Sequence, residues 1–442
     1  MNHAICALIT APGQAAISVI RCSGKACIDL VGKHFRPAAK LLKAPSHTVV
    51  FGTFFNADGV PLDEVLATVF RSPASYTGED VIELSCHGNP DLTDKILSTL
   101  LTTMVMAKPG EFTLRAYLNG KMDLTEAEAV NDLITAATSK AEAAALMQVK
   151  GFLSRHLETL LERLSEAIVR CELAIDFSDQ DLPSIDLEDL KQRISTILED
   201  AEKLYGEGQH SRKLREGIKI CLAGAPNAGK SSLFNAFLKH NRAIVSPHPG
   251  TTRDYLEESF SLSGYPIVLF DTAGLRPGAE EIEAEGISRS QILMQEADLI
   301  LYLYEDAGDI AQMDHTNLQH KTIFVASKAD LRLHSELPKG HINCSVKEAS
   351  GLDALCNAIL LRLKLPGEVL YRPLVTNARH LAALKRAIEA LHAARQALQQ
   401  QAGFEFIAFD LKEASSALED ILGVITPDDI LQKIFNGFCI GK

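Results

Sequence analysis

The stretch Ile218-Lys219-Ile220-Cys221-Leu222-Ala223-Gly224-Ala225-Pro226-Asn227-Ala228-Gly229-Lys230-Ser231 decides the fold. It opens with an apolar run of strand length and closes with G-x-x-x-x-G-K-[ST], a phosphate-binding loop. Glycines there let backbone N–H groups point inward at phosphates. Lys230 would then reach the β and γ phosphates, and Ser231 would ligate Mg²⁺. The run Ser232-Leu233-Phe234-Asn235-Ala236-Phe237 continues as a helix, so the loop lies between strand and helix. Gly224, Asn227, Ala228, Gly229, Lys230, Ser231 and Ser232 are the first nucleotide-binding candidates.

Four further segments follow the order expected of a GTPase. Gly250-Thr251-Thr252-Arg253-Asp254 offers a Thr to complete a Mg²⁺ shell in the triphosphate state. The strand run Ile267 to Phe270 ends on Asp271-Thr272-Ala273-Gly274, where Asp can hold Mg²⁺ through water and the Gly N–H can sense the γ-phosphate. After a third strand run, Thr322 to Val325, comes Ser327-Lys328-Ala329-Asp330. A carboxylate there accepts two hydrogen bonds from guanine N1–H and N2–H₂, an edge adenine lacks. Ser345-Val346-Lys347 fits the last base-contacting loop. Ser327 is a departure, because GTPases usually carry Asn there, whose amide helps hold both base and phosphate loop; weaker guanine affinity is the expectation. Leu275 cannot orient an attacking water, which leaves Glu280, Glu281, Glu283 and Glu285 as either a solvated helix start or the water-positioning group.

The rest of the chain surrounds this domain. Residues 1 to about 118 alternate short apolar runs (Ala15 to Ile20, Val65 to Phe70, Val81 to Leu84) with Gly, Pro and Asn, which predicts a mixed α+β domain. Thr125 and Glu128 read as a capping box ahead of helical sequence. Leu153, Leu157, Leu160, Leu164, Ile168, Cys171 and Ile175 line one helix face, and Leu187, Leu190, Ile194, Ile197, Ala201 and Leu204 line another. The βα alternation stops near Tyr371-Arg372-Pro373, and helical spacing resumes at Leu381, Leu384, Ile388 and Leu391. A last helix is expected after Thr426-Pro427, with a Thr cap and Pro at its first position. The economical reading is insertion: residues 1–118, a helical domain in two parts (119–216 and 368–442), and an α/β domain at 217–367 between them.

Composition bounds the alternatives. With 44 Lys+Arg against 57 Asp+Glu, the 442-residue chain carries −13, which argues against coating nucleic acid by charge alone. Its length suggests about three domains. Nine Cys without a CxxC pair, no signal-like start and no run approaching the ~18 apolar residues of a membrane span predict a reduced, cytoplasmic protein.

Gly-x-Pro-Asn-Ala-Gly-Lys-Ser, Gly-Thr-Thr-Arg-Asp, Asp-Thr-Ala-Gly-Leu-Arg, Thr77-Gly78-Glu79-Asp80, Ala107 to Phe112 and the ending Phe438-Cys439-Ile440-Gly441-Lys442 together resemble the TrmE-type (MnmE) family of bacterial tRNA modification GTPases. The resemblance spans essentially the whole chain, with Lys108 where the family usually has Arg. It implies a K⁺- and Mg²⁺-dependent GTP hydrolase that forms a homodimer and closes its G domains across the active site. Asn227 would contact K⁺, and the loop Ser246, Pro247, His248, Pro249, Gly250 and Thr251 would surround the nucleotide, with Ser246, His248 and Thr251 as further K⁺ ligands. Thr252 would join Ser231 on Mg²⁺, while Lys230 and Glu283 would be catalytic, Glu283 orienting the water. The family also implies a folate-like N-terminal domain binding 5-formyl-tetrahydrofolate or a related one-carbon folate, at Arg21, Glu83, Lys121 and Lys442. Cys439 is either a buried, inert thiol or a catalytic candidate facing the folate from a mobile-looking tail. The implied partners are the flavoprotein MnmG and tRNA, whose wobble uridine would receive an aminomethyl or carboxymethylaminomethyl group at C5. The rivals are an Era-like ribosome-assembly GTPase, which would need a basic RNA-binding domain, and a non-enzymatic nucleotide switch.

Overall fold

The structure, a computed structural model, describes residues 3–176, 186–224, 227–240, 242–243, 257–271, 291–305, 317–331, 338, 340–348, 350–363, 365, 372, 374–424 and 427–442. The chain forms two compact units, one of residues 1–131 with 419–442 and the other of residues 132–418.

In the first unit, seven strands form one sheet: β1 (Ile5–Leu8), β2 (Ile17–Ser23), β3 (Phe35–Arg36), β4 (Thr48–Phe55), β5 (Pro61–Phe70), β6 (Val81–His87) and β7 (Val105–Met106). Their order is β3-β4-β5-β6-β2-β1-β7. All neighbours are antiparallel except β1 with β7. Alternation along the strands sends Cys6, Ile20, Cys22, Val65, Ala67, Val69 and Leu84 to one face, where Ile28, Val31, Ile96 and Leu100 of the helices complete the core. Fully burying an aliphatic side chain of this kind is worth about 1.5–3 kcal/mol, which fixes the strand register. That register sets Arg21 opposite Glu83.

The helix Leu124–Thr135 is capped two residues earlier than the sequence suggests. Asp123 Oδ1 accepts from Glu126 N–H at 2.9 Å, and Glu126 returns its carboxylate to Asp123 N–H at 3.0 Å. Asp wins over Thr125 because Thr125 lies inside the first turn and donates its own hydroxyl to Asp123. The last helix, Asp428–Phe435, has Pro427 at its cap position and not at its first helical residue; Thr426 lies outside the described residues.

In the second unit, the helices Phe152–Asp176 and Leu187–Glu216 bury Leu153, Leu157, Leu160, Leu164, Cys171, Leu190, Ile194, Ile197, Ala201 and Leu204 as the spacing predicts. Ile168 and Ile175 are only half-buried, and Leu187 is 50% exposed, because helix formation starts there, after the Asp186 cap, before the apolar stripe turns inward. A second seven-stranded sheet follows: β8 (Ile218–Gly224), β9 (Arg242–Ala243), β10 (Glu257–Leu262), β11 (Tyr265–Asp271), β12 (Leu299–Tyr304), β13 (Thr322–Ala326) and β14 (Ile342–Asn343). Its order is β14-β13-β12-β8-β11-β10-β9, parallel except for β10 and β9 at one edge. Strand β12, buried along its whole length, is an element the sequence reading passed over.

The helix Ala378–Gln399 resumes after this sheet and packs on Leu187–Glu216. From the helix Ser139–Val149, the Gln148 amide donates to Leu374 O at 2.7 Å and to Thr376 Oγ1 at 3.0 Å, all buried. Lys140 also lies over the Tyr265 ring at 4.3 Å, joining a helix of the frame to the start of β11.

Candidate functional site

The phosphate end is built by backbone. At Gly224, φ is +137°, and a Cβ there would run into the carbonyl of Leu303 on the paired strand β12, so only glycine fits. Asn227 and Gly229 also take positive φ, +65° and +85°, which curls the chain before the helix Lys230–His240. A loop curled at a helix N-terminus presents N–H groups to an anion. Lys230 is buried, and its ammonium donates back to Gly224 O at 2.8 Å, across the loop whose bound phosphates it would neutralise. Ser231 Oγ donates to Asp271 Oδ2 at 3.2 Å, and Asp271 is only 1% exposed at the end of β11. These are two hard oxygen donors at one point, a set that suits Mg²⁺. Ala228 is buried beneath the loop, whereas Ser232 is exposed. Ser246, Pro247, His248, Pro249, Gly250, Thr251, Thr252, Thr272, Ala273, Gly274 and Glu283 lie outside the described residues.

The base end collects Ser327, Lys328, Asp330 and Ser345 beyond the ends of β12, β13 and β14. Ser345, fully buried, donates its hydroxyl to Asp330 Oδ1 at 2.7 Å. That hydrogen bond, with Lys347 and Lys328 acting in the same direction, holds the Asp330 carboxyl below the usual carboxylate range. Ser327 donates both its N–H, at 3.0 Å, and its hydroxyl, at 3.2 Å, to Tyr304 O. Lys328 has φ +53°, a left-handed backbone that costs a non-glycine residue about 1–3 kcal/mol, and its ammonium pairs with Glu305. Tyr304 and Glu305 were missed from the sequence; the run Leu299 to Tyr304 ending on an acidic residue was the available signal.

The first unit holds a second cluster. Arg21 pairs with Glu83, with Nη2 to Oε1 at 2.8 Å and Nε to Oε1 at 2.9 Å. Its guanidinium lies over the rings of Tyr76 at 5.1 Å and Phe112 at 5.5 Å. Tyr76 is oriented by a 2.8 Å hydrogen bond with Thr113. The tail is pinned: Phe112 N–H donates to Lys442 O at 3.2 Å and Gly110 N–H to Cys439 O at 3.4 Å. Gly441, at φ +97°, lets the tail approach the carbonyl of Leu8 where a Cβ would collide. Burial first, and the Arg21 charge second, push the Lys442 ammonium below the usual lysine value, with Glu83 opposing. Arg21, Glu83 and Lys442 therefore form one group. Lys121 instead donates to Pro73 O at 3.1 Å. Cys439 is exposed, unlike the other eight Cys, because the pinned tail holds its backbone and leaves its side chain outside the core. Tyr76 and Phe112 were not singled out from the sequence, although each lies in or beside a quoted motif.

Residues 4–121 match the family described as the N-terminus of the GTP-binding protein TrmE, and residues 124–439 match the one described as the MnmE helical domain. The tRNA modification GTPase MnmE of Aquifex aeolicus (strain VF5) is 38% identical over 452 residues, covering 100% of both chains. Its namesake in Salinibacter ruber (strain DSM 13855 / M31) is 42% identical over 467 residues, covering 100% of this chain and 99% of that one. The chain belongs to the MnmE family of tRNA modification GTPases. Among solved structures, the G domain of the T. maritima FeoB iron transporter is 26% identical and covers 33% of this chain and 98% of that one, at a TM-score of 0.26. For this MnmE-family chain, no helix among the described residues is long and apolar enough to cross a membrane.

Proposed function

We propose that this chain is a cytoplasmic GTP hydrolase that uses K⁺ and Mg²⁺ and works as a homodimer with the flavoprotein MnmG. The pair would install aminomethyl or carboxymethylaminomethyl groups on C5 of the wobble uridine of certain tRNAs. The observation that carries the hydrolase reading is the convergence of Lys230, Ser231 and Asp271 on the loop after β8. Lys230 exchanges its Gly224 carbonyl for phosphate oxygens and spreads the charge that develops as the β–γ bond breaks. Ser231 and Asp271 would hold Mg²⁺, whose charge polarises those oxygens. Asn227, whose left-handed backbone carries its side chain at the loop's turn, is the K⁺ contact on this reading, with Ser246, His248 and Thr251. Thr252 would join Ser231 on Mg²⁺, and Glu283 would orient the attacking water. Asp330, ionised and held by Ser345, accepts the guanine edge.

In the first unit, the residues suit a one-carbon folate. Glu83 can accept an amino-pyrimidinone edge, the Tyr76 and Phe112 rings offer apolar walls, and Arg21 and Lys442 suit the folate carboxylates. Lys121 belongs to this site on the family reading, and Cys439, being exposed, is accessible to chemistry there. The division proposed for the chain is an N-terminal domain to residue 118, helical parts at 119–216 and 368–442, and a nucleotide domain at 217–367. GTP turnover in K⁺ and in Na⁺ buffer at equal ionic strength tests the mechanism. Large acceleration by K⁺, second order in protein at low concentration, is expected. Equal rates would remove Asn227 and the 246–251 loop from catalysis and favour a nucleotide switch.

A further inference from the structure

The loop that would read guanine lacks the amide that such loops usually aim at the phosphate loop, and its Ser327 is committed elsewhere. Both Ser327 donors end on Tyr304 O, the last residue of β12. The next residue, Glu305, takes the Lys328 ammonium. Tyr304 is itself anchored, because its hydroxyl meets His341 Nδ1 at 2.7 Å and the His341 ring stacks on Phe324 at 4.9 Å. From the other side, Ala329 N–H donates to Cys344 O at 3.2 Å. The loop thus hangs from the end of β12 and the segment after β14.

We propose that Glu305 is a positioning residue for guanine, doing from the end of β12 the work an Asn at position 327 would do through the phosphate loop. A left-handed backbone at a lysine persists only where its surroundings over-determine it. At Lys328 those surroundings are the two Ser327 bonds before it, the Ala329 bond after it and the Glu305 carboxylate on its side chain. Asp330 follows two residues later, so its aim at a base depends on that backbone. Glu305 never touches the base; it acts through Lys328. This inference rests on the guanine reading above.

The test is steady-state turnover by the full chain of GTP and ATP, comparing the parent with E305Q, E305D, S327N and S327N/E305Q. E305Q is expected to raise KM for GTP about two- to fivefold, the scale of a half-exposed ion pair, with kcat within twofold. E305D should recover most of the loss. In the S327N background the E305Q effect should shrink, because an amide is again present to hold the loop. An unchanged KM in E305Q, or a loss in kcat at constant KM, overturns the proposal. A parent chain that uses ATP with the same KM as GTP refutes the guanine reading itself, a different failure.

Discussion

The phosphate end of the nucleotide domain and the Arg21–Glu83 cluster of the first unit are built by opposite means. The former is mostly local: Gly224 to Ser231 are neighbours in sequence and owe their shape to backbone curvature that few residue types can adopt, with Asp271 arriving from the end of β11. The latter is assembled by register. Arg21 and Glu83 lie 62 residues apart and meet because β2 and β6 pair antiparallel with those two positions opposed. Lys442 joins from the far end of the chain. A site of the first kind announces itself in a string of letters, whereas one of the second kind exists only after the sheet has formed.

If the two sites are separate in this sense, Lys230→Ala should lower GTP turnover about 10²- to 10³-fold while leaving binding of a reduced folate intact. Loss of both, by turnover and by equilibrium dialysis, would break the comparison. Gly224→Ala tests whether backbone alone builds the phosphate end. The methyl group meets the Leu303 carbonyl at a positive φ, so urea denaturation should show about 3 kcal/mol lost, with nucleotide binding failing as well. Arg21→Ala strips Glu83 of its partner in a half-buried setting. Folate affinity should fall about tenfold by titration, and GTP turnover without tRNA should not change.

The smallest effect sharpens the base end. A carboxyl held below its usual value keeps its charge, and so its acceptor role, at mildly acidic pH; binding is lost only as pH falls through that lowered value. Ser345→Ala removes the leading cause, so Asp330 should protonate at higher pH. The acid limb of GTP affinity, followed by nucleotide titration across pH, should therefore move upward. An unmoved limb would detach Ser345 from the base site.

Much of this was legible in the sequence. The phosphate loop, Asp271, and the helix faces through Leu153 to Cys171 and Leu190 to Leu204 follow from spacing and glycine placement. What escaped did so for physical reasons. Strand β12 is buried on both faces, so it shows no alternation to mark it as a strand. The cap at Asp123 rather than Thr125 turns on which of two competent side chains lies outside the first turn, a matter of one or two residues. Tyr76, between β5 and β6, and Phe112, in the helix Glu111–Leu118, gather round Arg21 only once the tertiary fold has formed. Family resemblance, and not periodicity, pointed to Arg21, Glu83 and Lys442.

The Gln148 amide reaches 226 residues along the chain to grip Leu374 O and, beside it, Thr376. The stretch between, which holds the helices Phe152–Asp176 and Leu187–Glu216 as well as the nucleotide domain, forms a closed loop with that grip as its stem. The entropy of closing such a loop rises only with the logarithm of its length, so insertions or deletions in the loops of the nucleotide domain would cost the frame about 0.6 kcal/mol or less per doubling. The stem carries a different burden. A nonpolar residue in place of Gln148 would strand a buried carbonyl and a hydroxyl just where the chain re-enters the helices. The loop that carries the nucleotide domain is therefore tolerant of change in size and sensitive at its stem.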